Sequence, residues 1–163
     1  MRQAQREREF TEFYAGGASA LRRTAYVVVR DWELSEDLVQ QALTKVYVAW
    51  ARVRPETRMA YARRSVVNEC LSHLRRHRPE TPTAEVPDRP VEAPAPAPDL
   101  SSALLRLPHR QRAIVALRFL DDLSVAEVAS VLGIADGTVK SQTARALDTL
   151  RHHVPDLITA EDR

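Results

Sequence analysis

Residues 110–151 read RQRAIVALRFLDDLSVAEVASVLGIADGTVKSQTARALDTLR, a helical apolar periodicity punctuated by Gly133. Ser124 predicts the cap of a short helix, Val125 to Leu132, because its hydroxyl can take a backbone amide that the first turn leaves unpaired. Gly133 follows where that helix must stop in left-handed geometry, which glycine adopts without a steric penalty. Ala129 lies four residues before it, a small side chain suited to two helices crossing steeply. Val128, Leu132, Ile134 and Val139 supply a shared apolar core, and Asp136-Gly137-Thr138 opens the second helix. This spacing is that of a helix-turn-helix.

In such a motif the second helix lies in the major groove of DNA and its N-terminal half meets the base edges. The residues directed away from the core there are Thr138, Lys140, Ser141, Gln142, Ala144 and Arg145. Lysine and arginine donate to guanine O6 and N7, glutamine pairs with adenine, and a methyl group touches thymine. A plain helical hairpin with a solvated polar face would not require cap, turn glycine and outward polar set to coincide.

Upstream, seven of the ten prolines fall in PETPTAEVPDRPVEAPAPAP, residues 79–98. Proline lacks the amide donor of a helix or strand ladder and pushes its predecessor into extended geometry. The segment reads as a flexible to semi-rigid, acidic, Pro-rich linker that spans at most roughly 60 Å. It divides the chain into a first domain, 1–78, and a second, 99–163, each too small for a core of more than marginal stability. The expected fold class is all-α, two small helical domains with the helix-turn-helix in the second. In the first, Ser35 predicts a helix cap with Glu36 and Asp37 in the favourable first turn. Leu38, Val39, Ala42, Leu43, Val46, Tyr47, Ala49 and Trp50 form its buried arc, leaving Asp37, Gln40, Gln41, Thr44 and Lys45 outside. After Pro55, a helix from about Thr57 to His77 buries Tyr61, Val66, Val67, Leu71 and Leu74 and turns Arg63, Arg64, Asn68, Arg75 and Arg76 outward. Phe10–Tyr14 and Leu21–Arg30 read as two further helical stretches broken at Gly16-Gly17.

Across 163 residues, 44% hydrophobic and 28% charged composition fits a soluble globular chain. No run approaches the roughly 20 apolar residues of a membrane span, and the charged opening lacks a signal peptide's apolar core. A cytoplasmic location is expected, and the single Cys70 excludes an internal disulfide. The net charge of +2 hides a polarised arrangement. Between Arg52 and Arg78 eight arginines face Glu56 and Glu69, a balance of +6; between Glu80 and Asp99 five acids face Arg89, a balance of −4. The basic block suits a polyanion, and the acidic one is repelled by it.

These residues resemble the extracytoplasmic-function (ECF) sigma factors of the sigma-70 family, most similarly the actinobacterial sigma-E-like subgroup. Three blocks carry the resemblance: SEDLVQQALTKVYVAW, RMAYARRSVVNECLSHLRRHR, and LPHRQRAIVALRFLDDLSVAEVASVLGIADGTVKSQTARAL. It implies a transcription initiation factor whose partners are core RNA polymerase (clamp and flap) and promoter DNA. It places Asp37, Gln40, Gln41 and Leu43 on the core-binding helix. The loop Ala51 to Glu56 and Asn68 fall where the family holds a flipped minus-10 base, and Lys140, Ser141, Ala144 and Arg145 match its minus-35 readers. Asparagine offers two donors and an acceptor to an unstacked base, and Arg63, Arg64, Arg75 and Arg76 suit phosphates of the opened strand. Family members are often held inactive by an anti-sigma factor. Gln41 stands where the family usually has an acid, and Ala144 where it often has a larger residue, which implies promoter contact either reduced or shifted to Gln142.

Other classes find little support. There is no phosphate-cradling glycine loop, no His-Glu-x-x-His and no nucleophile elbow, so neither an enzyme nor a cofactor is expected. Cys70, His73 and His77 share a helical face, but neighbouring arginines oppose a cation and no metal is expected there. Trp50 and Tyr61 continue apolar stripes and read as core, with Trp32 the remaining candidate stacking platform. The nearest rival is a dimeric helix-turn-helix regulator that binds an operator without polymerase.

Overall fold

The computed structural model describes residues 2–77 and 99–154, all of whose regular structure is helical. The stretch 79–98 read as a linker lies outside the described residues, as do Arg78 and the tail beyond 154. Helix α1 is Gln3–Val29, α2 is Trp32–Ala49, and α3 is Arg58–Arg76 after a 3-10 turn at Pro55–Thr57. In the second half α4 is Leu100–Leu105, and α5, His109–Val115, runs on into a π-helical turn at Ala116–Leu120. Helices α6, Val125–Leu132, and α7, Asp136–His153, complete it.

Two expected boundaries move. The break at Gly16-Gly17 does not occur, and α1 passes through it without interruption. Gly17 serves a close approach instead: a Cβ there would lie 2.5 Å from Met59 Cε, so the missing side chain admits α3's methionine against α1. Helix α2 starts three residues before Ser35, because Asp31 in extended geometry accepts the Leu34 amide at 2.9 Å and caps the helix itself. Ser35 is buried, its hydroxyl donating to the Asp31 carbonyl at 2.6 Å.

The first half closes around Trp50, which is fully buried. Phe10 and Phe13 meet it edge-on at 5.2 Å, and the Arg58 guanidinium lies over its ring at 3.9 Å. Glu9 joins the two by accepting from Trp50 Nε1 at 3.3 Å and pairing with Arg58 at 3.1 Å. This ties both ends of the 50–57 loop to α1. Tyr61 departs from its predicted place in the core and is 38% exposed; Ala62, Val66, Val67 and Cys70 fill that face.

The principal core does not stop at the end of the first half. A single apolar cluster runs from Leu21, Val28, Leu43 and Val66 into Ile114, Leu117, Val128 and Val139 of the second. A smaller one joins Leu104, Leu107, Ala146 and Leu150, with Val27 of α1 against it. Each half is too small to bury much apolar area alone, and sharing a core relieves that limit. Burying one large aliphatic side chain stabilises by about 1.5–3 kcal/mol.

Gly16, unlike Gly17, has open space at its Cβ position. In an unbroken helix Gly16→Ala should therefore raise stability by about 0.5–1 kcal/mol, read from urea unfolding. A helical break at this position would reverse the sign.

Candidate nucleic-acid interface

The helix-turn-helix forms as its spacing predicts. Ser124 Oγ accepts the Glu127 amide at 3.1 Å, and the Glu127 carboxylate accepts the Ser124 amide at 2.7 Å, a reciprocal capping box. The Ser124 amide, and after it the Ser124 hydroxyl, hold the Glu127 carboxyl below its ordinary range. Gly133 stops α6 at φ 65°. Val139, Ala146 and Leu150 fasten α7 inward, leaving Lys140, Ser141, Ala144 and Arg145 exposed side by side, with Thr138 half-buried at the helix start. Gln142 is not fully free: its side-chain oxygen accepts from the buried Gln111 at 2.9 Å. That engagement limits the role expected of it as a substitute for the small Ala144.

On α2, Asp37, Gln40 and Gln41 are exposed on one face. Gln40 Nε2 donates to the Tyr14 hydroxyl at 3.1 Å across a groove of about 310 Å³ between α1 and α2. Leu43 lies inside, as its place in the buried arc predicts. It is 2% exposed and belongs to the core beneath that groove, where it supports the surface.

On α3, Arg64, Asn68, Arg75 and Arg76 are exposed, whereas Arg63 is largely covered. This face looks toward the second half. Arg63 and Arg64 line a groove of about 450 Å³ whose far wall is Leu123, Glu127 and Ser130. Asn68 and Arg75 line another, of about 840 Å³, opposite Leu107, Pro108 and Arg110.

Three residues that the sequence reading did not single out fix this arrangement. The π-helical turn, closed by the Asp121 amide on the Ala116 carbonyl, delivers Asp121 to the first half, and Asp122 in left-handed geometry (φ 54°) turns the chain back toward Ser124. The Asp121 side chain is 7% exposed. The Thr24 hydroxyl lies 2.9 and 3.0 Å from its two oxygens, and Arg63 Nε stands 3.4 Å away. Burial pushes the Asp121 carboxyl above its ordinary range, against the pull of Thr24, Arg63 and Arg23. Arg112, 5% exposed, donates from Nε to the Val28 carbonyl at 2.9 Å, at the last turn of α1. No sequence signal marks these three, since each takes its role from a partner on the other half.

Sequence profiles of known families match both halves: Sigma-70 region 2 over residues 14–80 and Sigma-70, region 4, over residues 99–150. The RNA polymerase sigma-E factor of Streptomyces coelicolor is 35% identical over 152 residues, which cover 90% of this chain and 86% of that one. The chain belongs to the ECF RNA polymerase sigma factors. The ECF RNA polymerase sigma factor SigM of Mycobacterium tuberculosis is 34% identical over 143 residues, covering 84% of this chain and 72% of its own. In fold, the sigma factor RpoE of Bartonella quintana, solved in complex with the anti-sigma factor NepR, superimposes with a TM-score of 0.71 at 24% identity, over 94% of this chain and 98% of that one.

As a sigma factor the protein binds core RNA polymerase and promoter DNA in transcription initiation, and the operator-binding regulator is not favoured. Among the described residues of this sigma factor no helix is long and apolar enough to cross a membrane. No group of histidines, cysteines and carboxylates that could hold a metal occurs among them either. His73 and His77 stack on each other at 4.0 Å, while Cys70 is fully buried and its thiol is pushed up to about 12 by burial. Cys70 should therefore resist iodoacetamide at pH 8 in the native sigma factor and react fully in guanidinium, as mass spectrometry would record. Rapid native alkylation would contradict this burial.

Proposed function

We propose a division of labour in which residues 1–78 hold core polymerase and the opened minus-10 strand, residues 79–98 link, and residues 99–163 read minus-35 duplex. The observation that carries it is the exposed row Lys140, Ser141, Ala144 and Arg145 on a helix whose opposite side is locked into the core. A major groove admits an α-helix, and this row offers it donors for guanine at both ends, Lys140 and Arg145. On α2, Asp37, Gln40 and Gln41 form the polymerase-facing surface, with Leu43 as support. On α3, Asn68 reads an unstacked base near the loop 51–56, and Arg63, Arg64, Arg75 and Arg76 hold phosphates.

The protein is itself no enzyme, and polymerase supplies the chemistry. It works in the cytoplasm, where the nucleoid and polymerase are. An anti-sigma factor is a further partner, a reading supported by the Bartonella quintana relative's complex with NepR.

Run-off transcription with core polymerase and a genomic fragment library tests the assignment. Discrete transcripts should appear only when this chain is added. Arg145→Ala should weaken use of a native minus-35 element by about 1–3 kcal/mol, seen as loss of closed-complex affinity. Asn68→Ala should leave duplex docking intact and slow promoter opening, followed by permanganate reactivity of unpaired thymines. Equal loss of docking and opening in both variants would overturn the division.

A further inference from the structure

Helix α5 opens on Pro108-His109-Arg110-Gln111, which puts Gln111 at its third helical position. A glutamine there ordinarily turns back to accept the amide of the residue before the helix, and Pro108 has no such amide to give. Gln111 reaches α7 instead. It is 9% exposed, and its Nε2 donates to Gln142 Oε1 at 2.9 Å.

We infer that Gln111, which lies outside the helix-turn-helix, is a positioning residue for promoter binding, a role that rests on the assignment of α7 to the minus-35 duplex made above. By holding Gln142 Oε1 it turns the Gln142 amide so that Nε2 donates to a phosphate at the edge of the major groove. Gln142 thereby leaves the set of base readers.

On a helix of about 3.6 residues per turn, Gln142 falls about 130° around α7 from the middle of the row Lys140, Ser141, Ala144 and Arg145. All four residues of that row are exposed, whereas Gln142 is half-buried on the flank that faces α5. A side chain so far around from the groove floor comes to the lip, where the sugar-phosphate strands stand and where contacts set register without reading sequence.

The chemistry of the amide agrees with this place. A primary amide has a donating and an accepting end, and phosphate oxygens only accept. A free glutamine can turn either end outward and pairs with adenine by using both. Here the accepting end is already engaged by Gln111, and the donating end is the one left for a partner. The buried side-chain nitrogens and oxygens without a partner are all arginine Nε atoms among the described residues, so Gln142 Nε2 is not trapped unpaired inside. Gln111 is itself fixed, because Arg112, Ala113 and Ile114 beside it on α5 are buried. The Gln142 side chain therefore has little rotamer freedom left to lose when DNA arrives.

The test uses holoenzyme, this chain with core polymerase, and a promoter found by run-off transcription whose minus-35 base pairs are then randomised. Closed complexes are captured in the cold and their DNA is sequenced. Gln142→Met, which keeps the side-chain length, and Gln111→Leu, which keeps the volume, should each lower affinity about fivefold for every minus-35 sequence alike, and the double variant should lose no more than either alone. Urea unfolding and circular dichroism verify that each variant is folded. Gln142→Arg brings phosphate donors that need no orienting, so in the Gln111→Leu chain it should restore affinity to within about twofold and steepen the salt dependence by about one counterion. Were Gln111 needed only for packing, the deficit would persist in that double variant, and the positioning role would be overturned. Loss of preference at a single base pair in Gln142→Met would make Gln142 a base reader and overturn it equally. Arg145→Ala separates the two levels. If it changes no base preference, the assignment of α7 to minus-35 fails and the role of Gln111 with it. If it changes one while Gln111→Leu and Gln142→Met bind as the parent does, the assignment stands and the positioning role alone fails.

Discussion

A guanidinium buried between the two halves, that of Arg112, gives its Nε–H to the carbonyl of Val28 in the last turn of α1. A carbonyl in the last turn of a helix has no partner within that helix, and the negative end of the helix dipole favours a cation there. The contact therefore satisfies two groups that would each be costly to bury unpaired, and it does so across the domain division. Around it the apolar cluster runs without a gap from α1 to α7. Neither half could enclose Val28, Leu117 and Val128 so completely with its own residues.

That shared core decides which faces remain for partners. Helices α2 and α7 each have one side fixed by buried aliphatic residues and the other open, so polar rows remain at Asp37, Gln40 and Gln41, and at Lys140, Ser141, Ala144 and Arg145. Helix α3 is held between both halves, and its polar face lines the grooves that separate them. The loop after α2 is fixed differently, by Glu9 bridging Trp50 and Arg58. A loop with both ends tied to α1 keeps its position while Arg52 and Arg54 on it stay exposed.

The helix-turn-helix was legible because its determinants are local. Ser124 and Glu127 cap each other three residues apart, and Gly133 meets a backbone requirement that any sequence at that position would feel. The first half was legible in its periodicity but not in its boundaries. Ser35 and Asp31 are both competent caps, and only the depth at which Ser35 is buried shows that the chain uses Asp31. Gly16-Gly17 has the composition of a break, yet a helix tolerates it once α3 needs to approach there. Tyr61 follows the apolar stripe and remains partly exposed, because small Ala62 and Cys70 pack deeper on that face. Asp121, Thr24 and Arg112 were beyond sequence reading, since a Thr24–Asp121 contact joins residues 97 positions apart.

The same distinction applies to the arginines. A count between Arg52 and Arg78 gives a balance of +6, as though all were directed at nucleic acid. In the structure Arg58 is spent on Glu9 and Trp50, and Arg63 on Asp121, while Arg52, Arg54, Arg64, Arg75 and Arg76 stay exposed. Only cations free to displace counterions contribute to salt-dependent attraction for DNA, so the field felt by a promoter is smaller than the composition implies. An arginine held by a carboxylate at a core edge acts as packing and polarity for the protein's own fold. Arg63 differs from Arg58 in that its acid comes from the other half, so its charge is met across the domain division rather than within the first three helices.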